Sequence, residues 1–306
     1  MHRRDRYGTV VLAFITSLRH PRNSKDYARV ERLLLETLRS VTNQTSEEFV
    51  VIVVGNRAPS FPLPERVHFV KVDFRAPAPK TVRVSRSPFI RDKGTKIGVG
   101  LIAAREFSPD YVMIFDADDF VHRDLAAFTA QNPGQNGWVV KDGWMYSGAR
   151  SALREQPNFN RTCGTCFVIP YEAYGVPDEL DVHATREQVR VAYGERLSKI
   201  IGAHKHAAEW YAAHDRPLQP LPFRGAVYHV DNGENHSANV MTGRARPLNA
   251  ELSAEFGIRR RHGRLLTLWA CYASDPMRRV MTPFQPVVDN LKRVYRAVRQ
   301  TVRRIT

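Results

Sequence analysis

Three carboxylic acids stand within four positions of one another, directly after a short apolar run. Tyr111–Phe115 is apolar, and Asp116, Asp118 and Asp119 follow it. Neighbouring carboxylates raise one another's pKa, and a divalent cation bound among them relieves the repulsion. Oxygen ligands of this kind suit Mn²⁺ or Mg²⁺. The pattern predicts a metal site, although an Asp-rich turn that caps the next helix would use the same residues.

The segments that must position these carboxylates alternate between strand and helix. Five apolar, β-branched stretches predict buried strands: Thr9–Thr16, Phe49–Val54, Val67–Val72, Tyr111–Phe115 and Ala226–Val230. Apolar residues at helical spacing predict one helix over Tyr27–Thr42 and another after Gly94, preceded by a long basic loop over Asp73–Asp92. Such an order predicts βαβ units and a parallel sheet covered on both faces. Ligands of these sheets gather at the carboxyl ends of strands, where Asp116 would stand.

The composition excludes several classes of protein. Of the 306 residues, 43% are hydrophobic and 25% are charged, which is typical of a soluble globular protein and not of a disordered chain. The longest apolar runs fall far short of the roughly 18 residues that a membrane-spanning helix needs. Three cysteines, an odd number, favour reduced thiols over a disulfide framework. We therefore expect a cytoplasmic protein.

The positive charge is concentrated at the end of the chain. The formal net charge is +15, and residues 257–306 contain twelve Lys and Arg against two Asp. After Pro283 and Pro286, apolar residues recur every three or four positions and cations fill the opposite arc, which predicts a basic amphipathic helix over residues 283–306. This helix could pack on the body or bind acidic lipid headgroups. Nucleic acid is not favoured, because no aromatic stacking motif or zinc-finger spacing accompanies the charge.

Five stretches occur in an order that is found in one enzyme family: Thr37–Thr45, Asp92–Lys96, Tyr111–Asp119, Cys163–Thr165 and Asn232–Ser237. They resemble the glycosyltransferases of the GT-A fold, in particular family 2-like enzymes that make bacterial surface polysaccharides. The resemblance covers roughly Thr9–Ala238. It implies an α/β fold over residues 1–256 with a mostly parallel central sheet flanked by helices, followed by the basic helical extension 257–306. It also implies a nucleotide-sugar half over about 1–120 and an acceptor half over about 121–256.

The activity that this resemblance implies is the transfer of a sugar from a nucleotide-diphosphate donor to a saccharide or lipid-linked acceptor, in surface-polysaccharide or glycoconjugate synthesis. The residues implied in donor binding are Thr16, Ser17, Asn56, Lys93, Lys96 and Asp116. Relatives often carry an aspartate where this chain has Asn56, so the identity of the donor's nucleotide base stays open. Lys93 and Lys96 are expected at a helix start, where the helix dipole also favours anions.

The metal site implied by the resemblance consists of Asp116 and Asp118 with a histidine from late in the domain. His229, at the end of a predicted strand, is preferred over His236 because a strand end holds a side chain rigidly. Mn²⁺ or Mg²⁺ bound there would stabilise the departing nucleotide.

The acceptor half offers aromatic and small polar residues. Trp144 and Tyr146 are expected to stack on sugar rings, and Gly164 and Thr165 to lie beside the acceptor. A carboxylate base of the kind used by inverting relatives is missing. The candidates for the base by position are Asp181, His183, Glu187 and His204, and the stereochemical outcome stays open.

Two other classes of function are weighed against this one. A sugar-nucleotidyltransferase would also need paired aspartates and a metal, but it typically has a glycine-rich phosphate loop after the first strand, and Ser17–Ser24 contains no glycine. A non-catalytic basic protein that binds membranes or nucleic acid would explain the tail and leave Asp116–Asp119 unexplained. The transferase hypothesis predicts a cytoplasmic enzyme that binds peripherally to the inner membrane face through residues 283–306.

Overall fold

A computed structural model describes residues 10–78, 87–234, 239–243, 245–259 and 271. The strands are β1 (Leu12–Ser17), β2 (Phe49–Gly55), β3 (Val67–Lys71), β4 (Tyr111–Ile114), β5 (Phe120–Val121), β6 (Trp138–Val139), β7 (Asp142–Ser147), β8 (Ala152–Pro157), β9 (Phe167–Pro170), β10 (Gln219–Pro220), β11 (Ala226–Val230) and β12 (Arg246–Pro247). The α-helices are α1 (Tyr27–Val41), α2 (Ser87–Ala104), α3 (Leu125–Gln131), α4 (Phe159–Thr162), α5 (Arg186–Tyr193), α6 (Ala207–Ala212) and α7 (Ala250–Phe256). The mixed α/β class expected from the sequence is confirmed.

A seven-stranded main sheet has the order β10-β6-β9-β4-β1-β2-β3. The four strands β3, β2, β1 and β4 run parallel, and β9 lies antiparallel between β4 and β6. Leu12 of β1 pairs with Phe49 of β2 and with Tyr111 of β4. Because β1 and β4 are parallel neighbours, the chain leaves both strands at the same edge of the sheet. At this edge the Asp loop, defined as Asp116–Asp119, lies beside the loop after β1.

Helices cover the main sheet by close apolar packing. Asp26 caps α1 by accepting the backbone N–H of Arg29, and one face of α1 is buried. Helix α2 lies directly on the sheet at Gly100, where a Cβ atom would come within 2.6 Å of Ile15 Cγ2. Glycine lowers helix propensity, but the close packing of α2 on the sheet requires it at position 100.

The start of α2 corrects one prediction. The sequence predicts a helix after Gly94, but the helix begins at Ser87, so residues 87–92 are not part of a loop. A Cβ at Gly94 would lie 3.0 Å from the Leu197 carbonyl oxygen, which shows that this glycine allows close packing and does not begin the helix. Lys93 and Lys96 therefore lie in inner turns, away from the unpaired N–H groups of the helix start.

A smaller second sheet, in the order β12-β8-β7-β11-β5, packs beside the Asp loop. Strand β11 is an inner strand, parallel to β7 and antiparallel to β5, and all five of its residues are buried. Because β5 follows the Asp loop directly, its pairing with β11 fixes the end of that loop against a rigid strand. The division of the chain into halves near residue 120 stays a prediction.

No helix within the described ranges is both long and apolar enough to cross a membrane. The predicted amphipathic helix over residues 283–306 and the alternative ligand His236 lie outside the described residues.

Candidate functional site

A cavity of about 760 Å³ opens where β1 and β4 end. It is lined by Ser17 at the end of β1, by Leu18 and Arg19 of the loop that follows, and by Asp116 and Asp118 of the Asp loop. The volume lies within the range of small-molecule sites. The cavity therefore stands at the edge of the sheet where ligands of open α/β folds bind.

Asp116 forms an ion pair with Lys93 of α2. Its backbone N–H donates to Thr165 Oγ1 at 3.0 Å, which fixes the start of the loop. Burial alone would lower the pKa of Lys93, but the charge and hydrogen bond of Asp116 outweigh burial and raise it. Lys93 is therefore a cation at the cavity wall, and Asp116 is its counterion.

Asp118 lines the cavity without an ion pair: no Lys or Arg of the described residues forms one with it. Its Oδ2 accepts a hydrogen bond of 2.7 Å from Asn232 Nδ2. Burial and the charge of Asp116 raise the pKa of Asp118 to about 6, and the Asn232 hydrogen bond opposes this shift. The cavity thus contains a carboxylate that a bound cation would stabilise.

Asp119 points into the protein and anchors the loop. Its carboxylate accepts the backbone N–H of His229 at 3.0 Å, the thiol of Cys163 at 2.9 Å and the hydroxyl of Thr165 at 2.5 Å. Burial and the charge of Asp118 raise the pKa of Asp119 well above its usual value. With three donors, this side chain is satisfied inside the protein.

One group of potential ligand atoms comes together at the loop: Asp116, Asp119 and Cys163 each offer one atom within 4.8 Å of the others. Burial raises the pKa of the Cys163 thiol, which stays protonated and donates a hydrogen bond to Asp119. A cation in this group would have to displace the thiol proton. Asp118, a predicted ligand, lies outside the group, but it lines the cavity together with Asp116. Hard oxygen ligands fit Mn²⁺ or Mg²⁺ better than a protonated thiol does.

Most of the cations that line the cavity are already paired. Arg19 Nη1 lies 2.7 Å from Glu234 Oε2, and Lys93 pairs with Asp116. Arg161 pairs with Glu209. Lys205 also lines the cavity. The walls are therefore close to electrically balanced.

Lys96, which is expected to bind the nucleotide sugar, lies beneath the cavity wall and does not line the cavity. Its fully buried ammonium group donates to the Leu18 carbonyl oxygen at 2.9 Å and to Asp92 Oδ2 at 2.8 Å. Arg186 binds the other oxygen of Asp92 at 2.6 Å. Burial lowers the pKa of Lys96. This side chain ties α2 to the loop after β1 and does not reach the cavity itself.

The other residues that are predicted to bind the nucleotide sugar divide into two groups. Ser17 lines the cavity, while Thr16 is fully buried in β1. Asn56 donates to the carbonyl oxygens of Val72 and Phe74 at 2.9 and 2.8 Å and does not line the cavity. Asn56 thus holds the chain after β3 in place.

His229, the predicted third metal ligand, is fully buried. Its ring lies 5.3 Å from those of both Phe120 and Tyr146, and its Nδ1 lies 3.2 Å from the Asp118 carbonyl oxygen. The structure thus places His229 against the backbone of the Asp loop and outside the carboxylate and thiol group. Its role as a ligand stays a prediction.

The expectation that Trp144 and Tyr146 stack on a sugar needs correction, because both rings are covered. Trp144 is 4% exposed, with the guanidinium carbons of Arg224 and Arg246 at 4.7 and 4.0 Å from its ring centroid. Tyr146 is 1% exposed. Their aromatic faces are occupied by the protein.

Gly164, predicted beside the acceptor, and His204, a candidate for the catalytic base, both line the cavity. A Cβ at Gly164 would lie 3.1 Å from Asp116 Oδ2, 3.3 Å from Lys93 Nζ and 3.4 Å from His204 Nδ1, so three polar groups converge on this glycine. Burial and the charge of Lys93 lower the pKa of His204 to about 4, which keeps the imidazole neutral. Thr165 is buried and contributes through its hydrogen bonds to the loop.

The remaining base candidates lie on the surface. Asp181 accepts the backbone N–H of His183, and Glu187 pairs with Arg190 on an exposed face of α5. None of these side chains lines the cavity. Of the four candidates, His204 alone is in a position to meet a ligand in it.

Sequence reasoning assigned no role to Arg19, Asn232 or Glu234, although all three contribute to the site. Asn232 and Glu234 follow the buried strand β11 by two and four positions. Polar residues directly after a buried strand were the signal that identified Asp116, and the same signal was present here.

No family model and no curated protein matches the chain. Among solved structures, the chain is similar to Staphylococcus aureus TarS at 12% identity and a TM-score of 0.37, over 72% of this chain and 37% of TarS. It is also similar to a putative nucleotide-diphospho-sugar transferase from Desulfovibrio desulfuricans G20, at 9% identity and a TM-score of 0.32, over 71% of this chain and 80% of the other. The name of the second protein matches the family that the sequence resembles, but TM-scores this low carry no argument about function. The chain covers little more than a third of TarS.

Proposed function

We propose that the chain is a metal-dependent glycosyltransferase that moves a sugar from a nucleotide-diphosphate donor to a saccharide or lipid-linked acceptor. The observation that carries this proposal is the pair Asp116 and Asp118, which line a ligand-sized cavity at the carboxyl end of β4. Cations from the neighbouring loop and helix stand beside them.

The charge balance of the cavity supports a cation requirement. A donor diphosphate brings two negative charges, yet Arg19, Lys93 and Arg161 already have acidic partners. Lys205 also lines the cavity and offers one positive charge; beyond that charge, side chains could neutralise the diphosphate only by breaking these pairs. A divalent cation held by Asp116 and Asp118 supplies the missing charge, and it stabilises the departing nucleotide when bound.

The chain's own residues have separate tasks in this proposal. Asp116 and Asp118 hold the Mn²⁺ or Mg²⁺, and Lys93 adds a positive charge beside the diphosphate. Lys96 shapes the donor side of the cavity through the Leu18 carbonyl oxygen. On the acceptor side, Gly164 leaves room for a hydroxyl group.

Calorimetry with UDP, GDP, CDP and dTDP, each with Mn²⁺ and with EDTA, tests the proposal and identifies the nucleotide base that the site prefers. We expect one nucleotide to bind at least tenfold more tightly with Mn²⁺, and Asp118→Asn to lose this gain. Asp142→Asn is the matched control, because Asp142 is exposed on β7 and does not line the cavity. Equal affinity of all four nucleotides with and without Mn²⁺ would refute the proposal.

A further inference from the structure

The end of β11 contacts the Asp loop at three points. The backbone N–H of His229 donates to Asp119 Oδ1 at 3.0 Å, and His229 Nδ1 lies 3.2 Å from the Asp118 carbonyl oxygen. Asn232 Nδ2 donates to Asp118 Oδ2 at 2.7 Å. Because β11 is buried and paired on both sides, these contacts come from a rigid part of the fold.

The amide of Asn232 is itself held in one orientation. The residue is 2% exposed. Its Oδ1 accepts the backbone N–H of Glu234 at 3.0 Å, closing an Asx turn, and its Nδ2 also lies 3.2 Å from the His229 carbonyl oxygen. A reversed amide would place Oδ1 against the Asp118 carboxylate and lose all three contacts. The donor aimed at Asp118 is therefore fixed before any ligand binds.

We propose that Asn232 is the positioning residue of the cation site: its amide group orients the Asp118 carboxylate through the hydrogen bond to Oδ2. This inference rests on the proposed function. Asp118 Oδ1 accepts no hydrogen bond from the described residues that would compete with a cation. Removing the outer hydrogen-bond partner of a metal ligand typically costs 10- to 100-fold in metal affinity.

The alternative role for Asn232 is to shape the turn after β11, and serine separates the two roles. A serine hydroxyl can accept the Glu234 N–H in the same kind of turn. It is too short to reach Asp118 and has no amide group. Asn232→Thr serves the same purpose and fills more of the buried volume, should the serine variant fold poorly. The matched control is Asn43→Ser, because Asn43 donates to the Ala254 carbonyl oxygen at 2.9 Å, outside the cavity.

Electron paramagnetic resonance of free Mn²⁺, titrated with the full chain, measures the effect without turnover. We expect Asn232→Ser to bind Mn²⁺ 10- to 100-fold more weakly, and Asn43→Ser to match the parent. The affinity for UDP in EDTA should change less than twofold, since the cavity remains.

Mn²⁺ affinity of both Asn232 variants within threefold of the parent would overturn the inference and leave the proposed function intact. A parent chain that binds no Mn²⁺ would instead contradict the metal dependence of the proposed function, and this inference would fall with it.

Discussion

Glu234→Gln should weaken the fold and strengthen anion binding at the same time. Glu234 keeps Arg19 occupied: Nη1 of Arg19 lies 2.7 Å from Glu234 Oε2, and Nη2 donates to the Glu234 carbonyl oxygen. The side chain of Arg19 is 19% exposed and that of Glu234 is 7% exposed. Glutamine keeps the shape and removes the negative charge, so the guanidinium group becomes available to a diphosphate in the cavity.

The magnitude follows from the burial of this pair. Breaking a buried ion pair costs about 3–5 kcal/mol, whereas an exposed pair contributes about 0.2–1 kcal/mol. Arg19 is partly exposed and keeps its bond to the backbone carbonyl, so we expect a loss of about 2 kcal/mol in the free energy of unfolding. A charge-assisted hydrogen bond to the anion is worth about 1.5 kcal/mol or more, which corresponds to roughly tenfold tighter binding.

Urea denaturation measures the first effect, and calorimetry with pyrophosphate and UDP in EDTA measures the second. Arg19→Met should lose both stability and anion affinity, because it leaves Glu234 buried without its cation. The double variant completes a thermodynamic cycle that isolates the coupling of the two side chains. If Glu234→Gln bound pyrophosphate more weakly than the parent, Glu234 would orient Arg19 and not compete for it, and the reasoning would be refuted.

Three further predictions concern the buried lysine, the pH dependence and the tail. Lys96→Met should cost about 1–3 kcal/mol, because it leaves the Leu18 carbonyl oxygen without its buried donor; an unchanged urea midpoint would contradict this. Because the pKa of Asp118 is raised to about 6 and the carboxylate must be deprotonated to bind a cation, Mn²⁺ affinity should rise from pH 5 to 7 and then level off. Mn²⁺ titrations at several pH values should show an affinity that rises with pH for the parent and does not change with pH for Asp118→Asn. An affinity independent of pH in both proteins would contradict the assignment. Truncation before Pro283 should abolish flotation with acidic vesicles and leave the thermal midpoint unchanged, since each cation near an anionic surface contributes on the order of 1 kcal/mol; a large fall in the midpoint, with no flotation of the intact chain, would indicate a helix that packs on the body.

The strands were predictable because burial on both faces leaves a strong pattern. Phe49–Val54 is apolar at every position, and Ala226–Val230 is apolar except for His229; both form buried strands. The Asp loop could be placed for the same reason, since charge follows a buried strand abruptly. The start of α2 was missed although Ser87-Pro88 is a recognised helix-start signal, because the glycine at position 94 was interpreted as a boundary.

The site was harder to predict than the fold, because its contacts join residues far apart in the chain. Asn232 reaches Asp118 across 114 positions, and Glu234 reaches Arg19 across 215. No local pattern encodes such pairs. For Trp144 the sequence predicts a contact with a sugar, although the ring is covered by the protein. Nothing in the sequence indicates that two arginines pack on this ring.

The central claim is that Asp116 and Asp118 hold a divalent cation that binds a nucleoside diphosphate. A crystal structure of the full chain with Mn²⁺ and the nucleotide selected by calorimetry, measured for anomalous scattering by manganese, tests it most directly. We predict an anomalous peak in coordination contact with Asp118 and with the diphosphate, inside the cavity at the end of β4. An ordered diphosphate in that cavity with no manganese at Asp118, or manganese bound elsewhere, would contradict the account.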